Sequence, residues 1–396
     1  MRVLLAAASA SSELSGVQRH AFNVAHCLLT HPEISAVDLV VAPWQQELVQ
    51  NSGPAPSGRL NIHIAEMQPG SFHRNVWYYN RLPLLAAQYG ADVVHLAYPV
   101  PIGLRAFSCP TVVTLHDLYP YEIPSNFGFP KVLFNRWILQ QCLRNADSIA
   151  CVSDTTYHQL GWYVPQLIRQ KALRVYNCVE PGPLYAMESP IRGWTNEPFL
   201  LCVAQHRRNK NIPFLLRVFR QLIRRGLVDS SMQLMVVGIA GPETRRIRRT
   251  IQRAGLERRV RLMEGLSERE LHWSYKNCEA LVAPSTIEGF GLPIAEALLA
   301  GSRVVCSDIP AFRELGGACC RYVQLGDGAV DAFADAIVAT LQQPRRSPIA
   351  MPWLSAPIIA NQYVHHYHQL LALAGASQKF RFSHVVGAPG AERRSL

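Results

Sequence analysis

The feature that most constrains this chain is an alternation of strand-like and helix-like segments that runs along it, breaks once and starts again. Short apolar runs at Val3–Ala7, Val37–Ala42, Ile62–Ala65, Val93–Leu96, Val112–Leu115, Ser148–Val152 and Leu173–Tyr176 read as strands. Helix-period segments at Val17–Leu29, Val76–Gln88 and Pro130–Asn145 lie between them. Strands joined by helices pair in parallel, because a parallel crossover needs the helix's length, so the fold class is α/β. The break is Pro181-Gly-Pro183, then Ser189-Pro190 and Gly193, which continue neither period. After it Phe199–Val203, Gln233–Val237, Val260–Met263, Ala280–Ala283 and Arg303–Cys306 alternate with helical stretches up to Gln342. Two Rossmann-like halves are therefore expected, at 1–185 and 195–350; 396 residues are too many for one ordinary core. A last helix is expected at 356–373, followed by a polar, basic and disordered tail over 375–396.

Composition narrows the function classes. A hydrophobic share of 49% with 17% charged residues is globular, and the net charge of +11 favours anionic partners. The ten cysteines include no CxxC pair, which argues for small buried hydrophobes in a reducing compartment rather than a metal site. No run of about 18 apolar residues offers a membrane span, and Met1–Ser9 reads as a first strand rather than a secretion signal. Cytoplasmic placement, peripheral at the inner face of the cytoplasmic membrane, is the expectation. Arg245, Arg246, Arg248, Arg249, Arg253, Arg258, Arg259 and Arg261 lie on one helix and its exit without interleaved aromatics. That pattern is a solvated face, and nucleic acid is not an expected partner.

Ligands of doubly wound sheets bind where strands give way to helices, and four such turns carry chemistry. Pro284-Ser-Thr-Ile-Glu288-Gly-Phe-Gly-Leu-Pro293-Ile-Ala-Glu296 joins a strand to a helix through two glycines. Its free N–H groups at Phe290, Gly291 and Leu292 suit a diphosphate, with Glu288 in the loop and Glu296 in the first helical turn. The loop 204–211 is basic and holds Arg207, Arg208 and Lys210. Gly16 follows the first strand, and His116-Asp117 ends another. For Asp117 a capping role is the simpler reading.

The first of these turns resembles the EGFGxPxxEAxxxG signature of family 4 glycosyltransferases, the retaining group with the GT-B fold. Around it Gly265, Tyr275, Pro284-Ser285, Gly301–Asp308 and Arg313–Gly317 fall in the family's order, with Ser302-Arg303 where a small residue and proline are usual. Asn145–Asp147, Val152–Asp154 and Tyr176–Val179 also match, with Cys178 in place of glycine. The resemblance implies two Rossmann-like domains facing each other across a cleft, with the final helix crossing back to the first. It implies transfer of a hexosyl unit, mannose-like, from a nucleotide-diphosphate sugar to a glycan or lipid-linked acceptor. Glu288 and His116 would act at the reacting centre, and Gly16, Arg207, Lys210, Phe290, Gly291, Leu292 and Glu296 would bind the donor. Without a DxD motif, no metal or other cofactor is expected. A non-catalytic nucleotide-sugar-binding relative, or a GT-B enzyme of other chemistry such as an epimerase, is the alternative. Lys131, Phe134, Arg136, Trp137 and Arg144, with Trp77-Tyr78-Tyr79, suggest contact with an anionic membrane, or else simple packing of the first core.

Overall fold

In the computed structural model the chain forms two parallel sheets that face each other across a cleft. The structure describes residues 1–103, 106–180, 189–194 and 197–385. The expected break at Pro181–Pro183 and residues 386–396 of the expected tail lie outside them.

The first sheet contains β1 (Arg2–Ala6), β2 (Ala36–Val41), β3 (Leu60–Ile64), β4 (Val93–Leu96), β5 (Thr111–Leu115), β6 (Ser148–Cys151) and β7 (Ala172–Arg174). Its order is β3-β2-β1-β4-β5-β6-β7. The second contains β8 (Phe199–Val203), β9 (Gln233–Val237), β10 (Val260–Met263), β11 (Ala280–Ala283), β12 (Val304–Ser307) and β13 (Arg321–Val323), in the order β10-β9-β8-β11-β12-β13. Every pairing is parallel. Strand order reverses between β1 and β4 and between β8 and β11, so the loops leaving β1, β8 and β11 stand at the two switch points.

Local chemistry accounts for the departures from the sequence reading. The expected helix Val76–Gln88 is two helices, Ser71–Asn80 and Leu82–Gln88. Pro83 has no N–H to donate and starts the second, so the segment breaks at Arg81. The Ser302-Arg303 substitution has a structural use. Ser302 Oγ donates to the Tyr275 carbonyl at 2.6 Å, and buried Arg303 donates to Glu279 Oε2 at 2.6 Å and to the carbonyls of Leu341 and Gln343. These last carbonyls end the helix Ala329–Leu341, so Arg303 caps it. Cys178 needs no left-handed backbone, since Asn211 alone among the described non-glycine residues has a positive φ.

The last helix, Ala356–Val385, runs past the expected Leu373. Its Ile359, Ala360, Tyr363, Val364 and Tyr367 are buried in one core with Val3, Leu5, Ala21 and Leu28 of the first half. The helix therefore crosses back, and each large side chain buried there contributes roughly 1.5–3 kcal/mol. No helix among the described residues is long and apolar enough to cross a membrane.

Candidate active site

The site assembles from strand ends on both sides of the cleft. The loop after β11 brings Glu288, and the loop after β8 brings Lys210 from a short turn over Arg208–Lys210. Lys210 Nζ donates to both Glu288 oxygens, at 2.6 and 2.8 Å. From the other half, the Tyr119 hydroxyl donates to Glu288 Oε2 at 3.1 Å, and Asn209 Nδ2 donates to the Tyr119 oxygen at 3.2 Å. Glu288 and Glu296 are both nearly buried. With its two oxygens held by an ammonium and a phenol, Glu288 carries the satisfied charge that burial demands.

Two glycines shape this loop, and the structure assigns them separate reasons. A Cβ on Gly289 would lie 1.7 Å from the His116 carbonyl oxygen, so only glycine lets the loop meet the opposite half. Ser153 and Thr156, also from the first half, donate to the Gly289 carbonyl. Gly291 has φ +104 and caps the helix Leu292–Leu299, a conformation L side chains rarely adopt. Phe290 is buried, and Leu292 and Pro293 begin the helix. Glu296 thus lies in the second turn rather than the first. The Tyr275 hydroxyl donates to it at 2.6 Å. Burial pushes its carboxyl pKa up, and Arg19 and Tyr275 pull against that.

Gly16 opens the helix Gly16–Thr30, where an added Cβ would meet nothing within 4 Å. One turn on, Arg19 reaches across the cleft. Its fork donates to Glu268 at 2.6 and 2.7 Å, and Nη1 lies 3.5 Å from Glu296. Glu314 makes a second crossing, accepting from the backbone N–H groups of Asp154 and Thr155 at the start of the helix Asp154–Tyr163.

His116 donates from Nε2 to the Ala97 carbonyl at 2.8 Å. A carbonyl only accepts, so Nε2 carries the proton and Nδ1 is the acceptor. Burial pushes the pKa down to about 4, so the ring is neutral at physiological pH. His116 meets His20 edge to face at 4.6 Å. Behind them runs a buried polar chain: Asn177 to His20 at 2.6 Å, His20 to Thr114 at 3.1 Å, Thr114 to His95 at 2.8 Å and His95 to Tyr367 at 2.6 Å. One direction satisfies every member. Tyr367 donates to His95, His95 to Thr114, Thr114 to His20 and His20 to the Asn177 carbonyl oxygen.

Asp117 does more than cap. It accepts from the Tyr119 N–H at 3.0 Å, yet burial raises its pKa to about 6, and the charges of Arg207, Glu288 and Lys210 all act on it. The Arg207 charge is thereby felt at Asp117, while Arg208 lines a neighbouring cavity. Among the described residues no group of three or more His, Cys, Asp or Glu side chains is placed to hold a metal.

Sequence reasoning missed Tyr119, Asn209 and Arg19. Asn209 lies in the basic loop 204–211 and Tyr119 two residues after Asp117, but nothing local marks their hydrogen bonds. Arg19 left a faint signal, since a cation in the first turn opposes the helix dipole unless carboxylates hold it. The aromatics divide. Trp77 and Tyr78 pack the first core, whereas Phe134, Trp137 and Tyr79 are exposed. The arginines of the helix Thr244–Ala254 stand on the face opposite buried Ile247 and Ile251.

Comparison with known proteins gives the same architecture. Residues 188–347 match the family Glycosyl transferases group 1, and residues 14–182 match Glycosyltransferase Family 4. The chain is similar to the O-antigen chain mannosyltransferase RfbU of Salmonella typhimurium, 26% identical over 51% of this chain and 53% of that protein. It therefore spans about half the length of that relative. It is similar also to the GDP-mannose:cellobiosyl-diphosphopolyprenol alpha-mannosyltransferase of Xanthomonas oryzae, at 24% identity over 82% of this chain and 88% of the other. The fold matches the sucrose-phosphate synthase of Thermosynechococcus elongatus with a TM-score of 0.66 at 17% identity, covering 98% and 100% of the two chains. With two consecutive family matches, two parallel sheets facing a cleft and a crossing final helix, the chain belongs to the group 1, family 4 glycosyltransferases of GT-B fold.

Proposed function

We propose that the protein is a retaining glycosyltransferase moving a hexosyl unit, mannosyl by the names of its relatives, from a nucleotide-diphosphate sugar to a glycan or lipid-linked acceptor. The observation that carries this reading is the pairing of Lys210 with Glu288 at 2.6 Å, with the Tyr119 hydroxyl of the other half on the same carboxylate. In this reading residues 1–185 bind the acceptor and 195–350 the donor.

An arriving donor diphosphate competes with Glu288 for Lys210. Lys210, Arg207 and the N–H groups at Phe290, Gly291 and Leu292 then hold the leaving charge. Glu288 keeps its bond to Tyr119 and supplies negative charge beside the cation-like sugar. Glu296, aimed by Tyr275 and Arg19, takes the ribose hydroxyls. Gly16 leaves room for the donor phosphates against the first half. The bond from the anomeric carbon to the phosphate oxygen breaks and a bond to the acceptor oxygen forms on the same face. The acceptor proton passes to the departing phosphate. Neutral His116 orients the donor sugar through its unprotonated Nδ1.

Lys210 and Arg207 supply the charge that a metal supplies in other transferases, so turnover is expected to be insensitive to EDTA. Release of nucleotide from GDP-mannose, UDP-glucose and UDP-GlcNAc, with and without EDTA, tests both points. If no donor is bound or hydrolysed, the reading is wrong. We further propose peripheral contact with anionic membrane through the helix Lys131–Asn145. Phe129 is 83% exposed and Trp137 57% exposed there, beside Lys131 and Arg144. Sedimentation with phosphatidylglycerol vesicles but not phosphatidylcholine vesicles is the expected result.

A further inference from the structure

A cavity of about 730 Å³ lies beside the site, outside every residue proposed above for the donor. One wall comes from the first half, at residues 122–125, and the other from the helices Ile212–Arg224 and Thr244–Ala254 of the second half. Its volume is that of a small-molecule site. It adjoins the reacting centre through Asn209, which lines it. Asn209 Nδ2 donates to the Tyr119 oxygen at 3.2 Å, and the Tyr119 hydroxyl donates to Glu288 at 3.1 Å. Two hydrogen bonds therefore separate the cavity wall from the sugar-side carboxylate.

The chemistry of the lining is specific. Arg208, Arg217 and Arg246 come from three different elements and converge on the one space. Arg246 shares its charge with Glu243 at 3.1 Å; Arg208 and Arg217 are in no ion pair among the described residues. Opposite them, Glu122 Oε2 is buried without a hydrogen-bond partner. Burial, and then the nearby Asp117 charge, push the Glu122 carboxyl up to about 7. Near neutral pH it is thus in part a hydroxyl donor and only in part a counter-charge to the arginines. Phe214 is buried in the wall, and the Arg217 guanidinium lies 5.5 Å over its ring, which fixes that cation at the cavity. Planar guanidinium forks match carboxylate and phosphate geometry, so a neutral sugar would leave this charge unused.

We propose that this cavity is the acceptor subsite and that it takes a saccharide bearing a phosphate or a carboxylate. The proposal rests on the glycosyltransferase reading and adds the acceptor's charge and location to it, extending the acceptor site from residues 1–185 onto Arg208, Arg217 and Arg246 of the second half. The anion sits among Arg208, Arg217 and Arg246. The hydroxyl to be glycosylated passes Asn209 towards Glu288.

The test uses the full chain and titration calorimetry with mannose 6-phosphate, methyl glucuronide and methyl mannoside as probes. At least one anionic sugar is expected to bind about tenfold or more tightly than methyl mannoside, and more weakly as salt rises. Arg217→Ala with Arg246→Ala is expected to weaken that binding by about tenfold or more. Both side chains are exposed, so the double variant keeps its fold. Lys210→Ala, on the donor side, is expected to leave it within about twofold. Stronger binding of mannose 6-phosphate identifies phosphate as the anion, and stronger binding of methyl glucuronide identifies carboxylate. Equal binding of the neutral sugar, or unchanged binding by the double variant, overturns the proposal. Donor hydrolysis by the same variants judges the transferase reading separately, since it should persist in the double variant and be lost in Lys210→Ala.

Discussion

Lys210 and Glu288 show why single residues here have split roles. In the proposed mechanism each is the other's partner without donor and a substrate contact with it, so Lys210→Ala would remove a diphosphate ligand and leave Glu288 with Tyr119 alone. We expect kcat to fall by about 10²–10³-fold in steady-state nucleotide release. Glu296→Ala is expected to raise the donor KM instead, because a ribose contact is made equally before and during transfer. Asp117 gives a stability prediction. Its folded pKa of about 6 lies above the ordinary 3.8, so the folded form holds an extra proton between those values. Wild-type stability therefore declines as pH rises through that window, by on the order of 2–3 kcal/mol in total. Asp117→Asn keeps an acceptor for the Tyr119 N–H and is free of this loss. Its melting temperature should exceed wild type at pH 7.5 and converge with it below pH 4.

At the scale of elements, the loop before the helix Leu292–Leu299 is a seam between the halves. Gly289→Ala puts a methyl group 1.7 Å from the His116 carbonyl oxygen, so the two surfaces must part. Each sheet keeps its own core, and we expect near-wild-type far-UV circular dichroism with kcat/KM reduced about 100-fold. Arg303 makes the opposite case. Arg303→Ala takes one of two arginines from half-buried Glu279, which keeps Arg345, and uncaps the helix Ala329–Leu341, away from the site. A loss of about 2 kcal/mol in urea unfolding is expected, with kcat unchanged at temperatures where the fold holds. These two positions also mark how far a sequence is legible. The strand–turn–helix punctuation placed Glu288, Glu296, Lys210, His116 and Gly16 in one cleft, because parallel sheets deliver their loops to a common edge. The reason for Gly289 was hidden, since it depends on a carbonyl 173 positions earlier in the chain. Arg303 was equally opaque as a departure from pattern. Its acceptors come from segments that meet only after the sheet has closed, and Arg19 and Tyr119 were missed for the same reason.

At the scale of the molecule, the two halves meet through a set of crossings in which hydrogen bonds and ion pairs stand out. The Arg19 fork on Glu268, the Glu314 cap on residues 154–155 and the Ser153 and Thr156 bonds to Gly289 are all polar. Such contacts exchange for water at modest cost, which suits a cleft that must open to admit a donor and close around it. The buried cores behave otherwise. Tyr363 and Tyr367 belong to the first half's core although they lie nearly two hundred residues beyond its last strand, β7. Tyr367 is also the first donor in the hydrogen-bond chain that ends at Asn177.

This placement of the final helix sets an order of events during synthesis. The second half has all its strands once β13 has left the ribosome, and its cores are complete once the helix Ala329–Leu341 and residues 351–354 follow. The first half, although made earlier, waits with an open groove along the helix Gly16–Thr30 until residues 356–367 emerge. A nascent chain arrested at Ser355 should therefore protect amides of the second sheet from hydrogen exchange while those of β1 and β2 still exchange freely. The earlier-made lobe is the later to mature, and residues 356–367 decide whether there is a cleft at all.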